Sequence, residues 1–101
     1  LADITHTKTI NEYLYQFLNT DKFLSRHIAL DTLLKCNDDS VKILAATAAL
    51  DDEFWYYRQM AVNEIENFKA DYKNTFVDKV LDLAVNDSKS LVRADALHIL
   101  H

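Results

Sequence analysis

The sequence predicts an all-α fold, an α-α superhelix of three helical hairpins, on three observations. Its 101 residues contain no glycine and no proline, where ordinary usage is roughly 7% and 5%. Tight β-turns draw on those residues, whereas helices joined by short polar connections need neither. Apolar residues recur at three- and four-residue spacing, without the alternation of a half-buried strand. Finally, Arg26, Arg58 and Arg93 stand 32 and 35 positions apart, a period expected of stacked two-helix units.

The surroundings of the three arginines match. Three positions after each comes Ala29, Ala61 or Ala96, and seven after comes Leu33, Ile65 or Leu100. Eight before stands Leu18, Leu50 or Val85, and six before stands Thr20, Asp52 or Asp87. The last three can each accept a hydrogen bond from the unpaired N–H groups at a helix start. Each repeat therefore reads as a helix, a capped corner and a second helix, with repeats at roughly 8–36, 38–69 and 71–101 of a single domain spanning 1–101.

In the first repeat, Ile10, Tyr13, Leu14, Phe17 and Leu18 predict the buried face of the leading helix. The polar connection "CNDDS" (36–40) then leads to a helix whose face is Val41, Leu44, Ala45 and Ala48, with Ala46 and Ala49 allowing close approach of backbones. After the corner, "DDEFWYYRQM" (51–60) sets three acids before four consecutive aromatic residues. At 100° per residue Phe54 and Tyr57 share an arc with Ala61 and Ile65, Trp55 falls on the flank near Val62, and Tyr56 points away from both. Asp51, Asp52 and Glu53 put negative charge at the positive end of the helix dipole. The connection "KADY" (69–72) opens the third repeat, where Val77, Val80, Leu81, Ala84 and Val85 predict the core face.

Eleven basic against sixteen acidic residues give a net charge of −5 without a basic cluster, which argues against nucleic-acid partners. No run approaches the ~18 apolar residues of a membrane span. The single Cys36 cannot form an internal disulfide, and the compartment stays open. The chain begins without Met and ends at "ALHILH", inside an apolar helical pattern, which predicts a segment from the C-terminal part of a longer protein.

An acid at the corner, arginine six later, alanine three beyond and a closing aliphatic residue resemble the HEAT repeat family over residues 8–101. The segments "LDDEFWYYRQMAVNEI" (50–65) and "NDSKSLVRADALHIL" (86–100) carry the pattern best, while "NTDKFLSRHIALDTLL" (19–34) has Thr20 in place of the acid. The spacing also suits tetratricopeptide repeats, whose signature glycine and proline are missing. The HEAT resemblance implies a ladder of hydrogen bonds between successive repeats through Asp52, Arg58, Asp87 and Arg93. More narrowly, "FLSRHIAL", "ALDDEFWYYRQMAV" and "NDSKSLVRADAL" resemble the C-terminal helical repeats of bacterial zinc aminopeptidases of the aminopeptidase N type. That resemblance implies a non-catalytic domain that packs on an upstream catalytic domain and shapes substrate access. Zinc is then expected in the parent protein and not here, because this chain has no His-Glu-x-x-His.

Local chemistry is sparse. His98 and His101 are one helical turn apart, but two imidazoles fall short of the three or four ligands that zinc takes, and His6 and His27 have no ligand spacing. Nine helical residues put Cys36 and His27 roughly 13 Å apart along the axis, too far for a nucleophile and its base. Asp38, Asp39, Asp51, Asp52 and Glu53 lack the spacing and central glycine of a calcium loop, and helix capping accounts for them. Trp55 and Tyr56 are the candidates for a partner contact, since aromatic residues are enriched at interface hot spots. The expected partner is the catalytic domain of the same polypeptide, the alternative being a protein or peptide held by a free-standing HEAT-like scaffold.

Overall fold

A computed structural model describes residues 7–100, with side chains from residue 9 onward. Those residues form seven helices and no strand: α1 (Thr7–Asn19), α2 (Phe23–Leu34), α3 (Asp39–Leu50), α4 (Trp55–Ile65), α5 (Ala70–Thr75), α6 (Val77–Asn86) and α7 (Ser90–Ile99). The chain is all-α, and it divides into two compact units, 1–47 and 48–101, with the division falling inside α3.

In the first unit, α1 packs on α2 across the short connection 20–22. Phe17, Ala29, Leu30, Leu33 and Leu34 are buried, Ile10, Tyr13 and Leu14 are half-buried, and Leu18, expected inside, is exposed. The Arg26 guanidinium lies over the Phe17 ring at 4.6 Å while its Nε donates to the Phe17 carbonyl at 2.6 Å. Gln16 Nε2 donates to the Ser25 carbonyl at 2.8 Å. Together these bonds fasten the end of α1 to the start of α2. Asp38 Oδ1 accepts from the N–H groups of Ser40 and Val41 and so caps α3. Along α3 Val41, Ala45 and Ala46 of this unit are buried, as are Ala49 and Leu50 beyond the division, but Leu44 is exposed where the sequence places it inside.

In the second unit α7 packs against both α4 and α6, and the short α5 against α6. The single helix expected to open the third repeat is broken at Phe76, which is why there are seven helices and not six. Phe76 leaves the regular helix at φ −99°, ψ 0°, and its buried ring meets Phe68 at 6.1 Å. β-Branched Thr75 and Val77 on either side lower the cost of a break there.

The buried stripe of α6 is Val80 and Leu83, following Phe76, whereas Val77, Leu81 and Val85 are exposed. Leu83 is 5% exposed and Leu81 51%, the reverse of the sequence expectation for Leu81. Phe54 is a second departure, being 39% exposed. Its backbone is extended (φ −88°, ψ 121°) because it is the residue before α4, so projection on a helical wheel does not apply to it. Tyr57, Ala61 and Ile65 are buried.

Candidate functional site

The most highly organised polar region lies where α4 meets the α6–α7 corner. The residues that enter these corners share one local device. Thr20 Oγ1 accepts from Lys22 N at 3.4 Å, Asp52 Oδ2 from Phe54 N at 2.9 Å, and Asp87 Oδ1 from Lys89 N at 2.9 Å. Each is a side-chain-closed turn of the Asx or Ser/Thr kind. The helix N-caps are therefore Lys22, Phe54 and Lys89, two positions beyond the residues expected to cap, and none of the three makes a side-chain cap bond.

Arg58 and Arg93 brace their own corners in the same way. Arg58 Nη1 donates to the carbonyls of Asp52 and Glu53, both at 2.9 Å, and Arg93 Nη1 donates to the Asp87 carbonyl at 2.6 Å. The other side of the Arg58 guanidinium reaches across to the next corner. Its Nε donates to Asp87 Oδ2 at 2.7 Å and its Nη2 to Asp87 Oδ1 at 2.8 Å, a forked pair in which both side chains are largely withdrawn from water. Of the four polar positions singled out in the sequence, Arg58, Asp87 and Arg93 thus come together, and Asp52 joins them through its carbonyl oxygen.

Burial pushes the Asp87 carboxyl up, but the Arg58 fork, the Lys89 N–H and the charges of Arg58 and Arg93 together outweigh it and hold the group below the ordinary carboxylate value. The hydrogen bond to Asp87 correspondingly raises Arg58. A carboxyl depressed in the folded state contributes stability that is present above its unfolded value near ~3.9 and is lost as pH falls through the folded value. The urea midpoint should therefore drop below about pH 4, and Asp87→Asn should lose that part of the acid dependence. An identical acid limb in the variant would assign the dependence to other carboxylates.

Trp55 and Tyr56 are both half-buried. Lys89 Nζ lies over the Trp55 ring at 4.4 Å, a contact worth about 0.5–1 kcal/mol near a surface. The Tyr56 ring stacks on Phe54 at 6.1 Å and meets Tyr57 edge-on at 5.6 Å. Sequence reading missed the Trp55–Lys89 contact and a second bridge, Gln59 Nε2 to Asp95 Oδ2 at 2.8 Å. Both cross from α4 to the third hairpin and carry no signature spacing.

Among the described residues no group of three or more His, Cys, Asp or Glu side chains is placed to hold a metal ion. His98 Nε2 is 3.3 Å from Glu66 Oε2 at an exposed position, and His6 and His101 lie outside the described residues. Cys36 is buried, its thiol toward the Asp38 carbonyl at 3.5 Å. A cavity of about 260 Å³ opens among Ile65, Val77, Val80, Ile99 and Leu100, with Lys73 and Asn74 as its polar groups. It falls below the ~300 Å³ at which small-molecule pockets begin. No helix among the described residues is long and apolar enough to cross a membrane.

No protein-family model matches the chain, no curated protein matches it in sequence, and no solved structure matches it.

Proposed function

We propose that this chain is a non-catalytic, HEAT-like helical repeat domain of a larger enzyme, packing on its catalytic domain and shaping access to the active site. The observation that carries the reading is the rung itself. An arginine that closes its own corner and forks onto the next corner's carboxylate fixes one hairpin against its neighbour, and a stack fixed in this way presents a firm surface to another domain. At the rung the Arg58 and Asp87 side chains are engaged in structural bonds. Resemblance to the C-terminal repeats of zinc aminopeptidases supplies the choice of enzyme, with zinc held by the parent and not by this segment. A free-standing interaction scaffold is the second reading, favoured by the half-buried Trp55 and Tyr56 side by side at the start of α4.

Under the first reading, the isolated chain neither hydrolyses aminoacyl substrates nor binds zinc at micromolar affinity, since a catalytic zinc takes three protein ligands and a water. Deleting the segment from the parent enzyme lowers thermal stability or alters discrimination between short and long peptides. A parent whose folding, activity and length preference all survive the deletion refutes the enzyme-domain reading and promotes the scaffold.

A further inference from the structure

The third hairpin repeats the second at an offset of 35 residues, and the two differ at positions that decide what lies against them. On α4, Val62 is fully buried at 0% exposure, while its counterpart Leu97 on α7 is 55% exposed. At the ends of the leading helices, Leu50 is 2% exposed and its counterpart Val85 66%. Leu81 and Val77 continue the exposed stripe one and two turns before Val85. The polar positions differ in the same sense. The Arg58 Nε and Nη2 are taken by Asp87 of the following corner, whereas Arg93, oriented by the same bond to its own corner, has no acceptor for Nε and Nη2 among the described residues.

We infer that the face formed by Leu81 and Val85 of α6 and by Arg93 and Leu97 of α7 is a docking surface for one further helical hairpin whose corner presents a carboxylate. On α4, Arg58 of the stripe that also carries the buried Val62 joins the third hairpin through the Asp87 fork, and α4 packs on α7. Arg93 and Leu97 repeat that stripe on α7, so the new contact continues an interface already present, with the same charge complementarity. The expected occupant carries an acid that closes an Asx-turn, as Asp87 does. A second copy of this chain stacking through its first hairpin fits less well, because Thr20 stands at the acid's position there and offers no carboxylate to fork. This inference needs only the repeat geometry and does not rest on the enzyme-domain reading.

The test appends a duplicate of residues 70–100 to the C-terminus of the full chain, so that the duplicated Asp87 can reach Arg93. If the appended hairpin docks, the urea m-value rises by roughly a third, in proportion to added surface, and the midpoint rises with it. Arg93→Ala and Asp87→Ala in the duplicate should each remove much of the gain, and together should remove little more than either alone. Leu97→Glu provides an independent check: being exposed, it should leave the unextended chain unchanged while abolishing the gain in the extended one. An unchanged m-value, or a gain indifferent to both Arg93→Ala and Leu97→Glu, overturns the proposal. So does a dimer of the unextended chain in sedimentation equilibrium that Leu97→Glu dissociates, since the face would then belong to a second copy.

Discussion

Asp87→Ala is expected to lower the unfolding free energy by about 3–5 kcal/mol, the range observed when one partner of a buried ion pair is removed. A lost helix cap alone would cost about 0.5–2 kcal/mol. The larger figure applies because the substitution strands Arg58, whose Nε and Nη2 lose both acceptors in a place largely shielded from water. It also opens the turn closed by Lys89 N. Arg58→Ala should cost a comparable amount by stranding the carboxylate and releasing the carbonyls of Asp52 and Glu53. Because each single variant leaves a largely shielded charge without its main partner, the double variant should be less damaging than the sum. Chemical denaturation of the four proteins supplies the cycle, and coupling indistinguishable from zero would reduce the rung to two independent caps.

By contrast, the exposed pairs Lys79–Asp51 at 2.6 Å and Lys35–Asp31 at 2.9 Å should contribute little. Both are well hydrated, and exposed pairs are typically worth ~0.2–1 kcal/mol. Short distance is a poor guide to stability when water screens the charges. What distinguishes Arg58 and Asp87 is the withdrawal of both partners from water, combined with a full set of hydrogen bonds.

The corners were legible in the sequence because they depend on residue types at fixed local offsets. Thr20, Asp52 and Asp87 each stand six residues before an arginine, and all three accept from the N–H two residues on. Their exact place was not legible, since an Asx-turn and an N-cap draw on the same residues and differ only in backbone path. Arg58 could be matched with Asp87 only through a family resemblance, because no local rule links residues 29 positions apart. Least legible was α5–α6. The break at Phe76 serves a contact with Phe68, and neither propensity nor periodicity reports where a distant ring will offer a partner.

The phase of α6 was ambiguous for a further reason, which leads to the second large effect. Two apolar stripes run along this helix: Val77, Leu81 and Val85 on one side, and Val80 and Leu83, continuing from Phe76, on the other. Both have helical spacing, so periodicity alone cannot choose between them. Packing chooses the second, and Leu83 is enclosed while Leu81 is not. Leu83→Ala is therefore expected to destabilise by about 2–5 kcal/mol, the sum of lost transfer free energy and the cavity left behind. Leu81→Ala removes a side chain already half in water and creates no cavity, so its cost should stay within about 1 kcal/mol. Urea melts of the two variants read the order directly. If Leu81→Ala proved the costlier, the exposed stripe would already be covered in the free chain, and both the phase of α6 and the open docking face would fall together.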